Sequence, residues 1–533
     1  MAKSYREWVP LQSFLFPPSP TDWLPKDHLV YFILDVIEEI GLAAIEGAIQ
    51  EKDGRGNRSF DPRMMLALLI LGYCSGIRSS RKLEQATYTD VGFRVLTGGL
   101  HPDHSAISEF RRVHHVAFGE VFFDVLQLCK TAGMVKLAHV SLDGTKIEAN
   151  ASKHKAMSHS RMVKTDARLR AEVARLLDEA ESVDREEDAK YGPGKRADEI
   201  PEELRTREGR LKKIREAKAA LEAEAARTRA LDLRDQEARA NEEAKKATAA
   251  SREKELRRAK RIAERATAAA EKAIELAKKR QAAAIAELDS ADISGRRAER
   301  IVAQRTVTAA SKDLATVLKA DLGARLATEL PEHHVAGNRD GDPHPGAQRN
   351  FTDPESRIQR TNNGFVQGFN AQLVVDGANQ IIVACDLTNQ PPDVEHLPAM
   401  IDQVETNCGE RPETMTADAG YWSERNVRHC DERGIDAHIS IRRDRRGGEQ
   451  ASGRPKTAAM AKMSAKLDSP SGRALYARRK ATVEPVIGQI KEPLGFRRTL
   501  LRGVEKAKAE WKLVCACSNL RKLFRHQLAA AAT

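Results

Sequence analysis

The stretch HVSLDG, residues 139–144, decides the fold. Val140 and Leu142 predict a short buried strand, and Asp143-Gly144 interrupts that pattern. We therefore expect a strand whose carboxyl end presents the Asp143 carboxylate. Residues 146–150 (KIEAN) are expected to continue in an extended conformation. The carboxyl ends of strands in α/β sheets are where functional side chains gather, so Asp143 is a candidate functional residue.

Downstream of residue 350, strand and helix patterns alternate. They predict strands at 364–376 and 380–385, a helix at 394–406, a strand at 413–417, a helix at 423–433, a strand at 436–441 and a helix from about 473 to 491. Asp418 follows the strand at 413–417, and Glu484 lies in the last helix. This element order predicts an RNase H-like α/β domain with a mixed five-stranded sheet and flanking helices. Residues 442 to about 467 are expected to form a basic, flexible connection.

Three carboxylates of this fold are the candidate catalytic and metal-ligating residues: Asp143, Asp418 and Glu484. Two follow strands and one lies on a late helix, and such positions converge at one edge of the sheet. Carboxylate oxygens suit Mg²⁺ or Mn²⁺, which leave coordination positions for water and phosphate. Two such ions would stabilise both the attacking and the leaving oxygen of a phosphodiester displacement.

Other carboxylates compete for the second position. Asp386, Asp393 and Glu148 also lie near predicted strand ends. We prefer Asp418 because it follows the strand that comes after the helix, as the fold requires. Asp386 is expected to be structural or a neighbour of the site.

The last helix carries basic residues around its carboxylate. Tyr476, Lys480, Glu484 and Lys491 have i, i+4, i+8 and i+15 spacing and share one helical face. Such a face suits a carboxylate that holds metal while its neighbours bind phosphate. An ordinary Lys480–Glu484 ion pair is the simpler explanation of that spacing taken alone.

Positive charge is concentrated at the same end of the chain. The whole chain has a formal net charge of +11, and residues 473–525 hold 14 Lys or Arg against four acids. A basic surface attracts polyanions because binding releases the counterions of the phosphates. A solvated basic surface is the plain alternative, but the carboxylate inside this stretch favours a surface that faces DNA.

Residues 1–130 are expected to form an all-helical domain. Asp61-Pro62 predicts a helix start, and Asp103 or Ser105 predicts another. A basic face on these helices is suited to DNA, although a solvated face is the commoner explanation; it comprises Arg78, Arg81, Lys82, Arg111 and Arg112.

The middle of the chain is rich in Ala, Glu, Lys and Arg. Leu204, Leu211, Ile214 and Leu221 have heptad spacing, which predicts long helices or an antiparallel coiled-coil arm inserted into the fold. We therefore expect a helical domain at 1–130, the first strand at 131–155, the charged insertion at 156–350, the rest of the catalytic domain at 351–495 and a basic helical segment at 496–533.

Several classes of protein are disfavoured. The seven cysteines lack CxxC spacing, so neither a zinc ribbon nor a disulfide framework is indicated. The N-terminus lacks the apolar core of a signal peptide, and the apolar run at 64–74 is too short to cross a bilayer. We expect a cytoplasmic protein, associated with the nucleoid, without membrane contact.

Three segments make a family resemblance specific. SLDGTKIEAN (141–150), TADAGYW (416–422) and YARRKATVEPVIGQIK (476–491) resemble the catalytic blocks of the DDE transposases of bacterial insertion sequences. The segments at 60–99 and 102–111 resemble the N-terminal domain of the same transposases, and those at 364–376 and 494–523 are similar to other parts of them. The resemblance thus covers both ends of the chain and leaves the charged arm generic.

The resemblance implies a catalytic triad of Asp143, Asp418 and Glu484 that works with two divalent metal ions, Mg²⁺ or Mn²⁺. It also implies binding of double-stranded DNA, both terminal inverted repeats and target, by a homo-oligomer. The expected DNA-binding residues are Tyr476, Arg479, Lys480, Lys491, Arg497 and Arg498. The family's last block is often Tyr, two residues, Arg, three residues, Glu, six residues, Lys. Here Lys480 stands at the position of the Arg, and Arg479 is an alternative for its role. Tyr476 lies one residue farther from Glu484 than the pattern requires.

Two other functions stay open. One is a DNA-binding or assembly protein whose carboxylates are relics of a decayed element. The other is a host-adopted nuclease of the same fold, which would cleave DNA without strand transfer. Because all three acids are present, we favour an active transposase.

Overall fold

A computed structural model describes residues 19–41, 60–169, 202–246, 272–280, 330–338, 340–361, 364–441 and 457–531, with isolated positions between some of these ranges. The chain divides into two compact units. Unit 1 comprises Met1–Ile147, Asn370–Leu387 and Pro392–Thr533, and unit 2 comprises Glu148–Phe369 and Thr388–Pro391.

The described helices and strands are numbered in chain order. The helices are α1 (Leu29–Glu39), α2 (Pro62–Cys74), α3 (Ser80–Thr89), α4 (Val91–Leu96), α5 (His104–Val113), α6 (Phe118–Thr131), α7 (Glu202–Lys246), α8 (Leu397–Cys408), α9 (Glu424–Glu432), α10 (Ala458–Asp468), α11 (Pro470–Lys491) and α12 (Val504–Ala531). The strands are β1 (His139–Glu148), β2 (Ala156–Ser158), β3 (Gln348–Asn350), β4 (Arg357–Thr361), β5 (Gly364–Asp376), β6 (Ile382–Thr388), β7 (Thr414–Ala417) and β8 (Asp436–Ile439).

Aspartates begin two of the N-terminal helices. The Asp61 side chain accepts N–H bonds from the first turn of α2, which starts at Pro62 as predicted. Asp103, rather than Ser105, does the same for α5. Residues 65–74 of α2 are buried, so this helix lies in the core of unit 1.

The sheet of unit 1 has the order β6–β5–β1–β7–β8. β1 pairs in parallel with β7, and β7 pairs in parallel with β8. A turn joins β5 to β6, where the Asp376 N–H donates to the Ile381 carbonyl at 2.8 Å. The mixed sheet of the predicted α/β fold is therefore present. With β4, which pairs antiparallel with the first part of β5 in unit 2, the hydrogen-bonded sheet has six strands, one more than expected.

The C-terminal helix α12 is a core element of unit 1. It packs along α6 and α2, and residues 513–520 are buried on every face of the helix. Within this stretch Cys515 and Cys517 are free and buried, as expected for plain packing. A helix that is apolar all round is buried, so the positive charge of residues 496–533 lies before and after this stretch.

One buried carboxylate anchors α12. Glu510 accepts a hydrogen bond from the Tyr73 hydroxyl of α2 at 2.8 Å. Its other oxygen accepts from the backbone N–H groups of Leu500 at 2.8 Å and Leu501 at 3.1 Å. Burial and the Glu510 charge raise the pKa of Tyr73 well above its usual value. The acid thus fixes the loop before α12 to the N-terminal helices.

Part of the expected basic face of the N-terminal helices is internal. Arg78 donates to the carbonyls of Arg498 at 2.9 Å and Gly495 at 2.6 Å. Arg111 is buried, donates to the Arg78 carbonyl at 2.8 Å and lies over the Tyr73 ring. We expected these two arginines on a basic face of the helices. Instead, they bind backbone carbonyls within unit 1.

The expected flexible connection is partly helical. Residues 442–456 lie outside the described part of the chain, but α10 occupies Ala458–Asp468. Thr457 caps it by accepting from the Met460 N–H at 3.3 Å, and Met463 is buried. The prediction of a flexible piece up to residue 467 is therefore wrong for its last ten residues.

Unit 2 contains the long helix α7. Three of its heptad residues, Leu211, Ile214 and Leu221, are buried against Met162 and Val335. Farther along, Ala226 packs against Ala273 and Ala277 in the helical stretch 272–280. The heptad pattern is thus an inward face of α7, whereas the side chain of Leu204 and the break at 191–194 lie outside the described residues.

A half-buried ion cluster joins α7 to the short strands of unit 2. Glu224 contacts Arg349 of β3 at 3.0 Å and Arg357 of β4 at 2.8 Å, and it accepts from the Val335 N–H at 2.9 Å. Burial opposes ionisation of this acid, but the two arginines hold its pKa below the usual value. The cluster lines a cavity of about 180 Å³ that also includes Arg227 and His333.

Within the part of the chain that the structure describes, no helix is long and apolar enough to cross a membrane.

Candidate active site

Asp143 and Asp418 follow paired residues on neighbouring strands. Leu142 of β1 lies opposite Ala417 of β7 in the parallel pair, and both are fully buried. The two aspartates are the next residues along these strands, so the structure brings them together in the middle of the sheet. Asp418 also begins a short 3₁₀ turn, where its carboxylate accepts the Gly420 N–H at 2.9 Å.

From the sequence we expected Asp143 at the carboxyl end of a strand. Instead, it lies inside β1. The strand runs on to Glu148, which confirms the extended continuation as far as that residue. At Gly144 an added Cβ would stand 2.5 Å from Gln372 Nε2 and 3.2 Å from Asp393 Oδ1. Glycine allows this close approach, so the strand continues past it and Asp143 marks only the end of the parallel pairing with β7.

Arg479 of α11 contacts the acids. Its guanidinium Nη1 donates to Asp143 Oδ2 at 2.8 Å, and its Nη2 lies 3.8 Å from Glu484 Oε1. The side chain is buried, and its guanidinium carbon is 5.9 Å from the centre of the Tyr476 ring. Lys480, by contrast, is exposed. Of the two basic residues considered for the Arg role of the last block, Arg479 is buried and contacts both Asp143 and Glu484.

Asp143 and Asp418 share a half-buried and electrostatically crowded place. Burial, helped by the charges of Asp418 and Asp393 and opposed by Arg479, raises the pKa of Asp143 to about 6. Burial also raises the pKa of Asp418, opposed by the Gly420 hydrogen bond and Arg479. A bound cation would relieve this repulsion, because it stabilises the ionised form of each acid.

Glu484 stands apart from the two aspartates. Its side chain is 54% exposed, and Arg479 bridges it to Asp143. Among the described residues, no three His, Cys, Asp or Glu side chains are gathered closely enough to hold a metal ion. The donor set nevertheless fits Mg²⁺ or Mn²⁺ in kind, because all three side chains offer carboxylate oxygens and two of them are adjacent.

A fourth carboxylate, Asp393, lies beside the aspartate pair. Asp393 Oδ1 accepts from Asn370 Nδ2 at 2.6 Å and Gln372 Nε2 at 3.0 Å, and Lys146 Nζ lies 3.5 Å away. A Cβ on Gly420 would stand 3.4 Å from Asp393 Oδ2 and 3.0 Å from Asp418 Oδ1. The sequence singled out Asp393 only as a rival strand end, and its loop position before α8 gave no further signal. No sequence pattern marked Lys146 as a residue of the site.

Asp386, the other rival, has different neighbours. It is buried within β6, and its carboxylate accepts the backbone N–H of the next residue, Leu387, at 2.8 Å. The other carboxylate oxygen lies 3.5 Å from Gln403 Nε2. The charges of Arg479, Asp418 and Asp393 are among the main influences on the pKa of Asp143. A structural role for Asp386 accords with these contacts.

The remaining expected DNA-binding residues lie on α11 and just after it. Tyr476 is half-buried against Arg479, and Lys491 is half-buried with its pKa lowered by burial and by Arg497. Arg497 is exposed and pairs with Glu492, and the backbone carbonyl of Arg498 binds Arg78. These residues therefore offer side chains of differing exposure, and their contact with DNA stays a prediction.

Two family models match the chain. The model for a "Transposase DDE domain" matches residues 339–520, and the model for a "Transposase domain (DUF772)" matches residues 18–113. No curated protein and no solved structure matches it. The first match includes Asp418 and Glu484, and Asp143 lies on the strand that pairs with β7 inside that range. The chain belongs to the DDE-type transposases of insertion sequences.

Proposed function

We propose that this transposase cleaves DNA at the ends of its insertion sequence and joins those ends to target DNA, with Asp143, Asp418 and Glu484 as catalytic residues. The observation that carries the proposal is the adjacent, half-buried pair Asp143 and Asp418, which Arg479 connects to Glu484. Together with the transposase family, this cluster favours phosphodiester chemistry over a role in assembly alone.

The three carboxylates would hold Mg²⁺ or Mn²⁺, and two ions would fit the chemistry. Bound divalent ions would supply Lewis-acid stabilisation of the attacking and leaving oxygens. The rigid sheet fixes Asp143 and Asp418, while the exposed Glu484 has room to approach them. Arg479 balances the charge of the acids and is available to a phosphate oxygen when cations take over that balance.

The reaction proposed is two displacements at one site. Water attacks the phosphodiester at the end of the element and frees a 3′-hydroxyl. That hydroxyl then attacks a phosphodiester of the target, which joins the element to new DNA. The chain's basic residues would bind the phosphates of the terminal inverted repeats and of the target, the predicted ones being Tyr476, Arg479, Lys480, Lys491, Arg497 and Arg498. A homo-oligomer would bring the two ends together.

Cleavage of end DNA tests this proposal. Full-length protein is incubated with Mg²⁺ and a duplex that carries the native terminal repeat, and nicked product is measured for wild type, Asp418→Asn and Asp386→Asn. The two variants make the same change in one sheet, Asp386 within β6 and Asp418 directly after β7. We expect Asp418→Asn to bind the duplex without cutting it and Asp386→Asn to retain cleavage.

Opposite results would separate the rival functions. Cleavage that survives Asp418→Asn would overturn the triad. Wild-type protein that binds the duplex but never cuts it would favour the decayed DNA-binding protein. Cutting without joining would favour the nuclease.

A further inference from the structure

Lys146 is a second cation at the aspartate pair. It lies two residues after Gly144, so its side chain leaves β1 on the side where Asp393 approaches that glycine. Its ammonium is 3.5 Å from Asp393 Oδ1, and only 20% of its side chain is exposed. A lysine kept this deep normally needs a charged partner, and Asp393 provides one.

The partner carboxylate is itself held rigidly. Asn370 and Gln372, both on β5, donate to the same oxygen that faces Lys146. Gln372 also bonds to Asn370 at 3.0 Å and to the buried Tyr421 hydroxyl. Amides from a central strand therefore fix Asp393, and Asp393 in turn fixes the direction of the flexible lysine side chain.

The two cations of the site, Arg479 and Lys146, contact different carboxylates. Arg479 makes a 2.8 Å hydrogen bond to Asp143 and reaches Glu484. Lys146 Nζ lies 3.5 Å from Asp393 Oδ1, and an ammonium has three donors, so the same side chain can serve this carboxylate and an added anion. Asp393 also borders the turn of Asp418, since both carboxylates lie within 3.4 Å of a Cβ built on Gly420.

We propose that Asp393 is a positioning residue that holds the Lys146 ammonium against a non-bridging oxygen of the DNA phosphate at this site. The inference rests on the proposed function and adds a phosphate-binding residue to it. Lys146 supplies positive charge from β1, and Arg479 supplies it from α11. Asp393 acts through Lys146 and does not itself touch the DNA.

DNA binding without catalysis tests the lysine. The affinity of full-length protein for an end duplex is measured in EDTA over a range of salt concentrations. Each phosphate contact contributes about 0.9 to the slope of log K against log salt. We expect Lys146→Met to reduce the slope by about 0.9 and Lys146→Arg to keep it. Lys136→Met, which removes an exposed lysine, is the matched control and should leave the slope unchanged.

Single-turnover cleavage in Mg²⁺ tests the positioning by Asp393. Asp393→Asn keeps the acceptor for Asn370 and Gln372 but loses the charge. It should lower the rate at saturating DNA by about 10- to 100-fold, in the range typical of a displaced catalytic group, while the salt slope stays near that of wild type. The double variant Lys146→Met/Asp393→Asn should be no slower than Lys146→Met alone, because Asp393 acts only through Lys146 and both changes disrupt the same phosphate contact.

Three results would overturn the inference. The first is a salt slope of Lys146→Met equal to wild type. The second is independent, multiplicative losses in the double variant. The third is loss of Mg²⁺-induced thermal stabilisation in Asp393→Asn but not in Lys146→Met, which would make Asp393 a metal ligand. If no variant cleaves because wild type does not, the proposed function fails, whereas the salt slope still judges Lys146. Thermal unfolding of each variant checks that it is folded.

Discussion

Replacing Asp143 with asparagine should stabilise the protein while abolishing catalysis. Burial raises the pKa of this acid from 3.8 to about 6. One pKa unit corresponds to about 1.4 kcal/mol of difference between protonation states, so the ionised carboxylate costs the folded state about 3 kcal/mol above pH 6. Asparagine has the same shape and no charge, and its oxygen can still accept from Arg479. We therefore expect Asp143→Asn to raise the free energy of unfolding by up to about 3 kcal/mol at pH 7.5 in EDTA.

The pH dependence of this gain has a definite sign. The folded protein holds the Asp143 proton up to about pH 6, whereas the unfolded chain releases it near 3.8. Between these values the folded state binds more protons, so wild-type stability falls as pH rises. The advantage of Asp143→Asn should therefore shrink toward acid, to about half of its value at pH 5.

Urea unfolding at pH 5 and pH 7.5 measures both quantities, followed by a signal from unit 1 such as Trp511 fluorescence. Asp35→Asn, which changes an exposed acid of α1 in the same way, is the control and should show no gain. A variant less stable than wild type at pH 7.5, or a gain equal at both pH values, would refute the reasoning. Added Mg²⁺ should stabilise wild type more than Asp143→Asn, because a ligand stabilises only the state that binds it.

Other predictions follow from buried contacts. Glu510→Gln should lower the free energy of unfolding by about 1–3 kcal/mol in urea titrations, because the Tyr73 hydroxyl and two backbone N–H groups lose an ionised acceptor; an unchanged midpoint would contradict this. Glu224→Ala should lower the free energy of unfolding by up to about 3 kcal/mol, since two half-buried arginines lose their partner, and limited proteolysis should then cut unit 2 first rather than unit 1. Gly144→Ala should abolish cleavage because its Cβ would displace Gln372; a wild-type rate would show that β1 has more room than the structure gives it.

Much of the fold follows from local sequence patterns. Helix starts at Asp61 and Asp103 obey side-chain capping, and the local patterns after residue 350 predict most of the strands and helices found there. The adjacency of Asp143 and Asp418 follows from two short apolar strands that pair in parallel. The helix starts and the element order depend on neighbouring residues in the chain, so the sequence is enough to predict them, and the convergence of the two aspartates follows from the fold that this order implies.

Other features depend on contacts between distant residues, which no local pattern carries. Gly144 suggested a strand break, but its missing Cβ lets β1 pass Gln372 and continue. Arg78 and Arg111 counted as surface charge, yet they bind backbone carbonyls inside unit 1. Asp393 gains its place from amides of β5, more than 20 residues earlier in the chain. Charge and periodicity cannot reveal such partners.

Strand transfer tests the central claim most directly. Duplex DNA with a pre-cleaved terminal repeat and a free 3′-hydroxyl is mixed with a supercoiled target plasmid and full-length protein, with Mg²⁺ or with EDTA. The account predicts joined products for wild type in Mg²⁺, none in EDTA and none for Asp143→Asn, although that variant still binds the duplex. Joining by Asp143→Asn at the wild-type rate, or by wild type in EDTA, would contradict it.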